Sequence, residues 1–246
     1  MTTPFSIRGS CSFAWRILRE HSGLLFTVTL TIFALQFAYT LVSDAYAQTF
    51  VGLFVSFVLA LLLVVVMIGA TRITLLLARG EPAKFGDILP PHTLVWRFLG
   101  SGLCALCLSA LPLVVGGVLL GVIAMLTTDV FSISMTDPFH TMPTTARVLC
   151  SVDLALSFAA AFYIFIRLLP ARYLILDGAG VWESIKESYR MTSGVVVHLA
   201  LLMCVLLVCN LVGMACLFVG LLVTLPLSLV VLAHVYLTLR DIESGG

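Results

Sequence analysis

Cys104 and Cys107 have the Cys-x-x-Cys spacing that serves disulfide exchange or zinc binding, because residues one helical turn apart bring two sulfurs together. Their surroundings argue against both uses. They lie in an uncharged run from Phe98 to Thr128, where forming a thiolate is costly, and no His or carboxylate flanks them. Both read as small packing residues, as do Cys204, Cys209 and Cys216. Cys11 is expected on a reducing side and Cys150 has no evident partner, so the seven cysteines imply no disulfide framework.

Polar side chains inside apolar runs are the next place to look for chemistry, since burying them in hydrocarbon is costly unless they have a use or a partner. The candidate intramembrane polar contacts are Gln36, His198, Asn210 and His234, with Asp153 and Arg167 near opposite ends of one run. Asn210 is the only Asn in the chain. Its expected use is a hydrogen bond across the last helical hairpin or to another helix, worth roughly 0.6 to 2 kcal/mol. Arg167 and Asp153 are placed to snorkel toward opposite interfaces. No acidic or His series crosses an apolar run, so a proton relay has no support. Gly117 and Gly121 form a Gly-x-x-x-Gly pattern for close helix packing; with Pro112 nearby, the alternative is a broken-helix substrate site.

Familiar catalytic patterns are missing. The chain has no His-Glu-x-x-His, no Gly-x-Ser-x-Gly and no Gly-x-x-x-x-Gly-Lys-Ser/Thr. Neither a catalytic set, a cofactor motif nor a metal-ligand cluster is expected.

The elements that must position these residues are set by composition. The chain is 61% hydrophobic and 10% charged. Its uncharged runs are His21 to Ser43, Ala45 to Thr71, Phe98 to Thr128, Leu154 to Ile166 and Met191 to Leu239. Crossing ~30 Å of hydrocarbon takes roughly 20 apolar residues, so the last run holds two helices, with Gly213 and Gly220 bracketing the turn. The expectation is an all-α membrane protein with spans near 24–42, 50–71, 99–126, 149–169, 195–212 and 220–239, forming a single integral membrane domain over 1–246. The longest loop, Thr127 to Thr145, leaves little room for a soluble domain.

Charge then sets orientation. Of the 13 Lys and Arg residues, all but Arg147 fall on one side of these spans, and basic loops stay cytoplasmic. Both termini are therefore expected in the cytoplasm, in a bacterial inner membrane. Ala45-Tyr46-Ala47 resembles a signal-peptide cleavage site, but the apolar run before it, about 19 residues, exceeds the usual h-region of about 7 to 15. The first span is expected to stay.

An aromatic residue, Arg, an apolar residue and then Ser-Gly precede the odd-numbered spans: Trp15-Arg16-Ile17 to Ser22-Gly23, Trp96-Arg97-Phe98 to Ser101-Gly102, and Tyr189-Arg190-Met191 to Ser193-Gly194. That suggests three parallel pseudo-repeats, each a short interfacial amphipathic helix plus a helical hairpin. In the third lead-in, Trp182, Ile185 and Tyr189 make one apolar stripe opposite Glu183, Lys186, Glu187 and Arg190. Trp15, Arg16, Trp96, Arg97, Trp182, Tyr189 and Arg190 are thus candidate interface anchors or lipid-headgroup contacts, since Trp rings favour headgroup depth and Arg attracts anionic lipid.

From Pro170 to Tyr236, Pro170-Ala171-Arg172-Tyr173, Asp177-Gly178, Trp182-Glu183-Ser184, Glu187 through Gly194, and Gly220 to Pro226 together form a signature. It resembles the six-span bacterial integral membrane proteins of the glycerophosphoryl diester phosphodiesterase membrane-domain and YciC-like group. The likeness covers about the last 70 residues and implies a membrane module, not an enzyme; the chain has neither a His-Arg pair nor room for a catalytic domain. Mitochondrial carriers are a poorer comparison, because their Pro-x-acid-x-x-base motif is missing.

The expected function is that of a polytopic inner-membrane protein without catalytic activity, in a structural, lipid-associated or envelope-maintenance role. The alternative is a transporter or permease subunit for a small or lipid-like solute, which requires a polar cavity shared by several of Gln36, His198, Asn210 and His234. The expected partners are membrane lipids, with other membrane proteins or a second copy, and no nucleic acid.

Overall fold

The computed structural model describes residues 6–46, 48–127, 144–216 and 219–244, and among these it is helical without strands. In chain order the helices are α1 (Ile7–Glu20), α2 (Ser22–Tyr46), α3 (Phe50–Ala78), α4 (His92–Thr127), α5 (Thr144–Arg167), α6 (Ala171–Leu176), α7 (Val181–Met191), α8 (Val196–Ala215) and α9 (Leu221–Ser244). Six of them are long and apolar enough to cross a membrane: α2, α3, α4, α5 continued through α6, α8 and α9. This makes the chain a multi-pass membrane protein. The helices run past the expected span limits by several residues at their ends, because helix continues into the polar margin where hydropathy has already fallen.

Local signals explain the boundaries. The Ser6 hydroxyl accepts from the Gly9 N–H at 3.3 Å to start α1, and Thr49 Oγ1 accepts from the Gly52 N–H at 3.1 Å to start α3. At the end of α6 the chain reverses through Asp177 and Gly178, with Gly178 at φ +95°, a left-handed conformation that disfavours any side chain. The stretch between α3 and α4 holds Pro82, Pro90 and Pro91, which lack the N–H that helix requires. It forms only a 3-10 turn, Phe85–Ile88, in which the Lys84 N–H donates to Asp87 Oδ2 at 2.8 Å.

That turn folds back directly onto α3. A Cβ on Gly69 would stand 2.0 Å from the Ile88 carbonyl oxygen, so only glycine admits the contact. The consequence bears on the threefold repeat. Separate lead-in helices, α1 and α7, precede the first and third hairpins, but Trp96 and Arg97 lie inside the first turns of α4, and no separate helix precedes the second. The proline-rich connection accounts for the difference.

The closest helix approaches are made through glycines other than the pattern suggested. Gly117 and Gly121 face open space, while a Cβ on their neighbour Gly116 would fall 2.0 Å from Ser157 Oγ on α5. The pattern Gly-x-x-x-Gly therefore marks the wrong face of α4 for its contact with α5, the helix it packs against most extensively. α4 is helical straight through Pro112, so no unwound segment opens there for a substrate. In the last hairpin Gly213 and Gly220 do more than bracket a turn: a Cβ on Gly220 would stand 2.6 Å from the Gly213 Cα.

Packing is uneven along the bundle. Buried side chains concentrate in the second half of α3, in α6, and in the second half of α9, where Tyr173, Tyr236, Ile68, Ile73, Val230 and Val231 are fully enclosed. Large apolar residues of the first half of α3 and of α4, among them Phe50, Phe54, Phe57, Leu106 and Val118, are exposed. In water such a surface would drive association; in hydrocarbon it is the expected outer face. α9 is the most enclosed span and α4 the least.

Candidate functional site

The enclosed half of the bundle ends in a layer of basic and aromatic side chains. α1, the end of α3, the start of α4, the α6–α7 corner and the end of α9 all meet there. These elements, together with Lys84 in the α3–α4 connection and Arg167 at the end of α5, carry every Lys and Arg of the chain except Arg147, which lies in the first turn of α5 at the opposite end. The layer is fastened by Asp177.

Asp177 closes α6 just before the Gly178 turn, and its side chain is 8% exposed. Arg79 Nη2, at the end of α3, donates to Asp177 Oδ1 at 2.5 Å. Arg240 Nη1, near the end of α9, pairs with Oδ2, and the Tyr236 hydroxyl donates to the same oxygen at 2.6 Å. One carboxylate thus joins three separate parts of the chain. Beneath it the Tyr173 and Tyr236 rings stack with centroids 5.1 Å apart, which fixes the Tyr236 hydroxyl against the acid. Arg97 Nη1, on α4, donates to the Gly178 carbonyl at 3.2 Å and ties a further helix to the same corner.

Two guanidiniums share this one carboxylate, and Glu81 and Asp241 line the same recess. An ion pair with part-exposed arginines and a nearly enclosed acid gains from the low local dielectric and from short, charge-assisted hydrogen bonds. Arg79, Arg240 and Tyr236 were not candidates on sequence grounds. The available signal was that Asp177 is the only acid between Leu154 and Trp182, a stretch that also holds Arg167 and Arg172.

α7 sits on this corner by a face that overlaps the apolar stripe only at Ile185 and, in part, Tyr189. Ser184, Ile185, Ser188 and Met191 are buried, whereas Trp182 of the expected stripe is 65% exposed and Tyr189 is half-buried. Serines allow the closer approach. The Ser188 hydroxyl donates to the Arg167 carbonyl at 2.5 Å, and that of Ser184 donates to the Val181 carbonyl at 2.8 Å, so both are satisfied without water. Trp182 stays outside with the Lys186 ammonium over its ring at 5.9 Å. Arg167 does not reach freely for an interface; its guanidinium lies between the Tyr163 and Tyr189 rings, 5.1 Å from each centroid.

The other expected anchors occupy the rim. Trp15, Trp96 and Trp182 are all exposed, as are Arg16, Arg97 and Arg190. Arg190 Nη2 donates to Glu187 Oε1 at 2.6 Å, while Arg16 lies over the Phe13 ring at 5.3 Å and Arg19 over the Trp15 ring at 5.3 Å. α1 packs on α9 through Ser10, Ala14, Ile17 and Leu18, and Phe13 stacks on His234 with centroids 4.1 Å apart. Burial and the nearby Cys209 push the Cys11 thiol on α1 above its ordinary range.

The candidate intramembrane polar residues have separate surroundings. Asn210 Nδ2 donates to the Leu206 carbonyl at 2.8 Å and to Ser228 Oγ at 3.0 Å, a hydrogen bond across the α8–α9 hairpin. His234 is occupied by Phe13. Gln36 lies on the exposed side of α2, and His198 is half-buried near the start of α8. Cys104 and Cys107 are free thiols on the outer part of α4, as are the other five cysteines in their places. Among the described residues, no group of three His, Cys, Asp or Glu side chains comes together that could hold a metal ion.

No family model, curated protein or solved structure matches this chain. What can be said of its function therefore rests on the basic end.

Proposed function

We propose that the chain is a non-catalytic, lipid-associated protein of a bacterial cytoplasmic membrane, with both termini in the cytoplasm, in a structural or envelope-maintenance role. Its basic end holds anionic lipid headgroups. The observation that carries this reading is the rim: three exposed Trp residues, the exposed Arg16, Arg97 and Arg190, each directly after an aromatic residue, and nearly all the basic charge of the chain at one end of the bundle. Trp prefers headgroup depth, and each Lys or Arg near an anionic surface adds about 1 kcal/mol of attraction. Kinship with the glycerophosphoryl diester phosphodiesterase membrane-domain group belongs to the same proposal and brings no phosphodiesterase activity with it.

The transporter reading needs polar groups that converge on one cavity. Asn210 engaged by Ser228 and His234 engaged by Phe13 speak for helix packing instead.

The test replaces Arg16, Arg97 and Arg190 together by Gln. Purified from a membrane of mixed composition, the native protein should carry phosphatidylglycerol in excess over phosphatidylcholine, and the triple variant should lose most of that excess, about 3 kcal/mol of attraction being removed. Unchanged enrichment in a variant that melts like the parent ends the proposal.

A further inference from the structure

α4 leaves one trough of its surface unfilled. Phe98, Gly102 and Leu106 form one wall, and Phe165, Leu169 and Arg172 at the α5–α6 corner form the other, around a cavity of about 280 Å³. From Phe98 to Leu106 the groove follows α4 for about 12 Å. It is open on the outer side, where Leu106 is 66% exposed, and it exists because Gly102 carries no side chain: a Cβ there would meet nothing within 4 Å.

Its polar end is basic. Arg79 and Arg240 share Asp177, and Arg190 has Glu187. Arg172 pairs with no carboxylate among the described residues: its guanidinium lies over the Tyr173 ring, 5.4 Å from the centroid, and its Nε, like that of Arg167, is buried without a hydrogen-bond partner there. A desolvated guanidinium seeks an anion, and its fork of N–H donors matches phosphate oxygens. Depth agrees as well. Trp96, fully outside the groove and exposed, stands two residues before Phe98, which puts the Arg172 end at headgroup level and the length of the trough toward the hydrocarbon.

We infer that this groove is a specific site for one anionic phospholipid, with an acyl chain laid along α4 and the phosphate on Arg172. The inference rests on the reading of the basic end as a lipid-binding surface and adds a single retained molecule to it. The occupant is an amphiphile because the site is one: a mostly apolar trough that ends at a positive charge with no carboxylate partner among the described residues.

Native mass spectrometry of the purified full chain, titrated with dioleoyl phosphatidylglycerol or dioleoyl phosphatidylcholine, tests it. The parent should retain one phosphatidylglycerol at least tenfold more tightly than phosphatidylcholine. Arg172→Gln should remove that preference, and Gly102→Phe, which fills the trough where there is space for a ring, should lower retention of phosphatidylglycerol at least tenfold while helix content and melting stay unchanged. Arg172→Lys should keep binding within about threefold, since an ammonium still meets phosphate. Equal retention of both lipids by the parent, or native retention by both Arg172→Gln and Gly102→Phe, overturns the inference. So does conversion of a parental dimer to monomer by Gly102→Phe, which would seat a second copy in the groove. The two proposals fail separately: the triple Arg16, Arg97 and Arg190 variant reports on bulk headgroup enrichment, and the groove variants report on the single retained lipid.

Discussion

The Tyr236 hydroxyl donates to Asp177 Oδ2 at 2.6 Å, while Arg79 holds the other oxygen of the same carboxylate at 2.5 Å. α9 and α3 are thereby fastened through the corner between α6 and α7. Asp177→Asn removes the carboxylate that both guanidiniums share. The expected loss is about 3 kcal/mol, at the low end for breaking an ion pair with a buried member because both arginines are partly solvated. Tyr236→Phe keeps both ion pairs and should cost about 1 kcal/mol. Thermal melting in detergent ranks the two, and a native melting temperature for Asp177→Asn would refute the fastening role.

Glycine substitutions separate the real helix contact from the sequence pattern. Gly116→Ala drives a methyl into Ser157 on α5 and should destabilise by about 1–3 kcal/mol, as overpacking does. Gly117→Ala and Gly121→Ala meet open space and should stay within about 0.5 kcal/mol of the parent. Equal effects at positions 116 and 117 would contradict this packing.

Asn210 and Ser228 offer a coupling that can be isolated. Asn210→Leu, Ser228→Ala and the double variant should give an interaction energy of roughly 0.6 to 2 kcal/mol, the range for hydrogen bonds between membrane helices. A double-mutant cycle by equilibrium unfolding in mixed micelles is the measurement. Strict additivity would mean that the contact contributes nothing.

Cys11 should be slow to react. Only the thiolate is nucleophilic, and burial, helped by Cys209, shifts the thiol upward, so at pH 8 a smaller fraction is ionised than for a free cysteine. In a variant whose other six cysteines are Ala, maleimide labelling should proceed slowly in mild detergent and rise at least severalfold once SDS unfolds the chain. Because the shift is upward, the native rate should keep climbing as pH passes 9, where an unperturbed thiol has begun to level off. Equal rates in both detergents would exclude the half-buried position.

The proposed orientation is open to direct test. A fluorescent protein joined after Gly246 should fluoresce, and alkaline phosphatase at the same point should be inactive, if both termini are cytoplasmic. The opposite pair of results would invert the topology.

Six spans, their approximate limits and the separation of charge were legible in the residues alone. Hydropathy and charge accumulate along a chain without reference to its partners, so they survive being read one residue at a time. The same holds for the turn at Asp177-Gly178, a local conformational demand met by a local residue. What the tertiary structure decided is pairwise and distant. Arg79 and Asp177 are 98 positions apart, and Arg240 and Asp177 are 63 apart; nothing in their neighbourhoods distinguishes these arginines from Arg16 or Arg97. Which of two adjacent glycines touches α5 and which stripe of α7 is covered both depend on where neighbouring helices stand. The same is true of the trough beside Gly102. It is defined by what does not fill it, and only the placement of α5 and α6 around α4 brings Arg172 to its end.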